Sequence, residues 1–163
     1  MIRNFFKVVA VVTSALLPVA GMAADCVEDV GDTVTLRYRG QPIQVGVIES
    51  YTALIAPRDL TNSRGVRLND VAAVLQQDRA NVHKTGTLDS DGDFSDQYDG
   101  YFTSLKQRSQ FGSARYYTAC YMTSADNAEL KSAIVNARVR GLLWVVAFRH
   151  PKGGLGIYLS EVN

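Results

Sequence analysis

Every other residue of Val34-Thr35-Leu36-Arg37-Tyr38 is apolar, Gly40-Gln41-Pro42 interrupts the run, and Ile43, Val45 and Val47 resume it on one face. This alternation predicts a β-hairpin. Tyr51 to Ala56 is a further β-prone run ended by Pro57, and Arg58 to Gly65 has the composition of a loop. The period then changes: Val71, Val74, Leu75 and Val82 recur at helical spacing, which with Asn69 as N-cap predicts a helix over 70–81. Thr85 to Gly100 is polar and reads as a surface loop. Ala114 to Met122 predicts a strand that carries Cys120. Ser124 can cap a helix over 125–139, with Asp126 in its first turn, the stripe Leu130, Ile134, Ala137 along it, and Arg138, Arg140 and Gly141 at its end. Leu142 to Phe148 and Leu155 to Val162 then flank the turn His150-Pro151-Lys152-Gly153-Gly154 as a terminal hairpin. This order predicts a mainly antiparallel α+β fold, a small closed barrel with a C-terminal helix followed by a β-hairpin.

The start of the chain follows a different rule. Arg3 and Lys7 precede an apolar stretch from Val8 to Leu17 that is too short to span a bilayer, and Pro18, Gly21 and small residues up to Ala24 follow. Positions 1–24 therefore read as a cleavable export signal, with cleavage after Ala23 or Ala24, and 25–163 as one secreted or periplasmic domain. Asp25 before Cys26 argues against lipidation, which needs a small residue there. In an oxidising compartment Cys26 and Cys120 are expected to pair as a disulfide. A reactive thiol, or a metal site using His83 and His150, lacks any C-x-x-C or H-x-x-x-H spacing.

Composition removes other classes. The chain is 47% hydrophobic and 20% charged, with 13 glycines and 4 prolines, which excludes collagen-like, coiled-coil and wholly disordered readings. Its formal net charge is +1, and loss of Arg3 and Lys7 turns that slightly negative, so no overall pull toward nucleic acid or anionic membranes is expected. Arg37, Arg39, Lys106, Arg108, Arg115, Arg138, Arg140, Arg149 and Lys152 form a patch only if the sheet gathers them; a solvated surface is the expectation. Neither nucleic acid nor membrane insertion is expected as a partner.

Two clusters carry candidate chemistry. Asp89, Asp91, Asp93, Asp96 and Asp99 crowd one predicted loop, and alternating oxygen ligands suit Ca²⁺. An EF-hand register fails, because Phe94 stands at position six and Gly100 at position twelve, which leaves a looser calcium loop as the alternative to a merely solvated acidic loop. The second cluster is aromatic: Tyr98, Tyr101, Phe102, Tyr116, Tyr117 and Tyr121. Tyrosine joins a flat apolar face to a hydroxyl, which suits sugar rings and protein interfaces. If the Cys120 face of its strand points inward, Tyr117 and Tyr121 point out and become ligand-binding candidates beside Tyr98 and Tyr101. Trp144 is expected in the core. The glycines at 153, 154 and 156 precede a strand, so they do not read as a phosphate loop. No G-x-S-x-G nucleophile motif occurs.

The segment Asn127-Ala128-Glu129-Leu130-Lys131-Ser132-Ala133-Ile134 through Gly141-Leu142-Leu143-Trp144-Val145-Val146, and the hairpin through Ile157-Tyr158-Leu159, resemble the helix and final strands of the B subunits of pentameric bacterial toxins, the enterotoxin and pertussis-like groups. The resemblance implies a five-stranded barrel of the oligonucleotide/oligosaccharide-binding (OB) kind, assembly into a homo-oligomeric ring, recognition of cell-surface glycans, and a disulfide cysteine at a place Cys120 can take. It carries over no binding residue. The long segment from Val27 to Thr87, with its extra predicted helix, departs from that pattern. The leading expectation is an exported non-enzymatic module that binds a glycan or protein surface. A periplasmic inhibitor or immunity-type protein is the alternative, and a small secreted hydrolase using acids such as Asp89, Asp91 or Asp93 is the second.

Overall fold

The structure is a computed structural model that describes residues 24–162. The predicted export signal falls almost wholly on positions 1–23, outside the described residues. Among those described, eight strands and three helices form in the order β1 (Cys26–Val30), β2 (Thr33–Tyr38), β3 (Gln41–Ala53), α1 (Val71–Thr85), β4 (Ser90–Asp91), β5 (Phe94–Ser95), α2 (Leu105–Arg108), β6 (Arg115–Tyr117), α3 (Ser124–Val135), β7 (Leu142–Arg149) and β8 (Leu155–Val162). Short 3₁₀ turns at Pro57–Leu60 and Ser109–Ser113 complete them.

Six strands make one sheet in the order β1-β2-β3-β7-β8-β6, antiparallel except where β6 runs parallel to β8. The sheet curls into a half-barrel until its outermost segments touch. Val27 N–H donates to the Thr118 carbonyl at 2.9 Å, Cys120 N–H donates to the Val27 carbonyl at 2.8 Å, and the Cys26–Cys120 disulfide fastens the contact. The expected disulfide is present, and it ties the first strand to the segment after β6.

The curl gives the sheet two buried faces. Outside it, Tyr51, Ala53, Val145, Ala147, Ile157 and Leu159 pack under α1 (Val74, Leu75), α3 (Leu130, Ile134), Phe102 and Phe111. Inside it, Val27, Val34, Leu36, Tyr117, Val146, Phe148 and Tyr158 pack against one another. One strand serves both faces. Ile43, Val45 and Val47 of β3 border the inner cluster, whereas Tyr51 and Ala53 of the same parity sit in the outer one; a register shift between Val47 and Glu49 makes the exchange. The two predicted runs are thus one bulged strand of 13 residues.

Other boundaries move for local reasons. Asp70, not Asn69, caps α1, its side chain accepting the Ala73 N–H, and the helix runs to a left-handed Gly86 at φ 65°. Thr123, not Ser124, caps α3, in a reciprocal pair with Asp126. That helix stops at Val135, four residues short of the prediction. There Ala137 turns left-handed at φ 48°, its N–H donating to the Ile134 carbonyl while Arg138 N–H donates to that of Ala133. The strand predicted over 114–122 is cut to Arg115–Tyr117 because Thr118 to Cys120 leave β8 to join β1. The acidic pair Glu28-Asp29 hid β1 from the pattern, and α2 also escaped it. The terminal hairpin lies where it was predicted.

Candidate functional site

The lengthwise row of inward side chains on β7 ends at Trp144, on the sheet's concave face. Its indole meets the Tyr158 ring edge-on at 5.8 Å, and its Nε1–H donates to Ser50 Oγ at 2.8 Å. Tyr121 projects beside this pair. It follows the disulfide-bonded Cys120 in a turn closed by Met122 N–H donating to the Ala119 carbonyl at 3.0 Å, so its backbone is anchored while its ring is 82% exposed. Val27, Glu28, Asp29, Val30 and Ala119 complete a shallow cleft of ≈ 200 Å³ around the three aromatics. Burial pushes the Tyr158 hydroxyl's pKa up, and the neighbouring Tyr121 hydroxyl adds to this against a hydrogen bond from Ser160. Tyr158 is therefore a neutral hydroxyl at all ordinary pH. Glu28 pairs with Arg37, and Asp29 stands exposed.

This arrangement offers ring faces for the C–H surface of a sugar or an apolar side chain, with hydroxyl and carboxylate groups at the edge to fix its orientation. No histidine, serine or free thiol lines the cleft among the described residues. A larger cleft of ≈ 390 Å³ between α1 and α3 is bordered by Val71, Ala72, Tyr116, Val135 and Leu159. It is mostly hydrocarbon and has no exposed ring standing over it.

The four nominated tyrosines separate. Tyr121 is exposed as expected. Tyr117 is not: it is buried at 7% exposure, tilted on Phe148 and stacked on His150. The strand ends at Tyr117, so the alternation that paired it with Tyr121 does not continue. Tyr101 is half-buried, edge-on to Phe102 with its hydroxyl donating to Gln110 Oε1 at 3.1 Å. Tyr98 is exposed in the loop 86–100, near His83. Trp144, expected in the core, is half-buried and forms the floor of the cleft. Pattern reading misses Trp144 and Tyr158 because both lie in apolar strands, and only the curl leaves one end of that row uncovered.

The acidic loop is also corrected. Asp89 pairs with Arg58 at 2.8 Å. Asp96 is buried, accepting the N–H groups of Leu54 at 2.6 Å and Asp89 at 2.8 Å. Asp99 is buried too, accepting from Phe102 N–H and, at 2.7 Å, from His83 Nε2. Only Asp91 and Asp93 remain exposed, on the β4–β5 hairpin. No group of three or more acidic, histidine or cysteine side chains converges for a metal ion among the described residues. Two of the loop's carboxylates, Asp96 and Asp99, serve Arg79. That α1 guanidinium is fully buried: Nε donates to Asp78 at 2.7 Å, Nη1 to the Gln97 carbonyl at 2.6 Å, Asp96 and Asp99 lie at 3.8 and 3.5 Å, and the Tyr51 ring lies 4.1 Å away. Burial pushes the Asp78 carboxyl up to about 7 against the pull of Arg79, and that of Asp59 to about 6 against hydrogen bonds from Ala56 and Asn81. This is a clamp that fastens loop 86–104 to α1.

Comparison with protein-family models, with curated proteins and with solved structures finds no match for this chain.

Proposed function

We propose that the protein is an exported, non-enzymatic binding module that takes a glycan on the Tyr121–Trp144–Tyr158 platform. The observation that carries this reading is Tyr121, 82% exposed yet anchored by the neighbouring disulfide beside an indole and a second phenol. An aromatic this exposed gains nothing for the fold, whereas a pre-fixed ring lowers the ordering cost of binding. The disulfide is consistent with an oxidising compartment, and no helix of the described residues is long and apolar enough to cross a membrane. The Val27–Ala119 bridge supports reading the curl as an OB-like barrel, in keeping with the resemblance of residues 127–146 to toxin B subunits.

A screen of the oxidised protein on a glycan array tests the proposal. Saturable binding to a defined glycan set that is lost in Tyr121→Ala and kept in Tyr98→Ala supports it. Wild-type silence across the array removes the glycan form. Light scattering on the same sample tests the ring: a stable pentamer favours toxin-like assembly, and a monomer ends it.

A protein partner is the second reading, favoured by Tyr98 and Leu105, exposed at 58% and 63%. It predicts a single stoichiometric partner in pull-downs, lost in Tyr98→Ala and indifferent to Tyr121→Ala.

A further inference from the structure

We propose that the end of the curled sheet around Tyr38 and His150 is a binding site for a doubly charged oxyanion, a phosphate or sulfate group. Three cations from three separate segments meet there. Arg39 lies in the β2–β3 turn, Lys152 in the β7–β8 turn, and Arg115 opens β6, its Nη1 donating to the Gly153 carbonyl at 3.2 Å. Arg39 Cζ and Lys152 Nζ stand 5.5 and 5.9 Å from the centre of the Tyr38 ring. All three are exposed, and none joins an ion pair among the described residues. Asp25 is near, but its Oδ1 accepts the Arg39 backbone N–H at 2.7 Å.

Hydrogen-bond accounting points the same way. His150 is only 4% exposed, stacked on Tyr117 at 6.0 Å and edge-on to Tyr38 at 5.6 Å. Its Nδ1 accepts the Lys152 backbone N–H at 3.1 Å. Burial, with the charges of Arg115 and Lys152 outweighing Asp25, holds its pKa below the usual value, so the ring is neutral and its proton sits on Nε2. That Nε2–H is buried without an acceptor, and the Tyr38 hydroxyl is buried without a partner, among the described residues. Two buried donors at this place thus lack an acceptor. One guanidinium can satisfy a carboxylate in bidentate fashion; three cations and two neutral donors match the several oxygens and double charge of a phosphate or sulfate. The three exposed cations stand at the rim, where the ion would meet them first.

Arg39 and Gly40 have φ 51° and 79°, the pattern of a two-residue hairpin turn that favours Asn-Gly, so Arg39 occupies a position that asparagine fills with less strain. The site is separate from the aromatic platform, because Trp144 lies near the start of β7 and His150 just past its end, six residues on, about 20 Å at strand spacing.

The test titrates sodium phosphate and, separately, sodium sulfate into the oxidised exported protein, with sodium chloride holding ionic strength constant. The His150 imidazole resonances, identified by their loss in His150→Gln, report binding by NMR. A saturable shift with either ion, accompanied by a rise in the His150 pKa, is the expected result, and the ion that binds tighter identifies the group. Arg39→Asn relaxes the turn, so its thermal midpoint is unchanged or raised while its affinity falls about tenfold. Adding Lys152→Ala abolishes the shift. A linear response equal to that of chloride, or wild-type affinity in the double variant, overturns the proposal.

Discussion

Ala137 occupies a position where its side chain is a liability. At φ 48° its Cβ crowds the backbone, and the hydrogen bonds around it are those of a helix terminus that favours glycine. Ala137→Gly should raise stability by about 0.5–1 kcal/mol in urea unfolding, and a loss of stability would show that the terminus is held otherwise. Gly156 is the converse. It sits opposite Phe148 in the β7–β8 ladder, and a Cβ built there would lie 2.2 Å from the Phe148 ring, inside the curl where the ring is fully buried. Gly156→Ala should cost about 1–3 kcal/mol by overpacking, whereas Gly153→Ala meets no atom within 4 Å and would show backbone strain alone. The sequence signals that 153, 154 and 156 belong to a hairpin and not to a phosphate loop. It does not distinguish the turn glycines from the packing one, since that depends on which ring faces Gly156 across the ladder.

At the scale of elements, α1 is where pattern and structure diverge most usefully. Val74, Leu75 and Val82 are buried as their spacing predicts, but Asp78 and Arg79 between them are buried as well. Their partners Asp96, Gln97 and Asp99 come from a loop about twenty residues on, so no local periodicity could reveal them. The five acidic residues of that loop were legible as a cluster; the use of two of them, Asp96 and Asp99, as counter-charges to one buried arginine was not. Arg79→Met should cost about 3–5 kcal/mol at pH 7.5, because it leaves buried carboxylates unpaired, and part of the loss should be recovered at pH 5.5 as they take up protons. The wild type carries the same sign. The folded pKa of Asp78, about 7, lies above its unfolded value, so its contribution is fully present at low pH and is lost as pH rises through 7. Between pH 6.5 and 8 this contribution should fall by about 1 kcal/mol. Asp78→Asn should remove that fall. Wild-type and Asp78→Asn stabilities that follow the same pH slope over this interval would mean that Asp78 is ionised throughout.

Over the whole molecule, the disulfide does two things at once. It closes a loop across a sequence separation of 94 residues, and it fixes the segment that presents Tyr121. The Cys26→Ser/Cys120→Ser variant should lose about 2–5 kcal/mol of stability. It should also bind glycan more weakly even where it remains folded, because the ring is no longer held. The alternating strands, the helix before the terminal hairpin and the cysteine pair were legible as an α+β fold with a closing link. What was not legible is where the curl leaves each side chain: it decides that Tyr117 is buried, that Trp144 is half-open, and that Arg39, Arg115 and Lys152 meet. The central claim is that the Tyr121–Trp144–Tyr158 cleft takes a glycan. Trp144 is the only tryptophan in the chain, so its fluorescence reports this cleft alone. Glycans that bind on an array should shift or quench that emission saturably in the wild type, with affinity reduced about tenfold or more in Tyr121→Ala. Emission that stays unchanged while an array-positive glycan saturates the protein would place the ligand elsewhere and contradict the account.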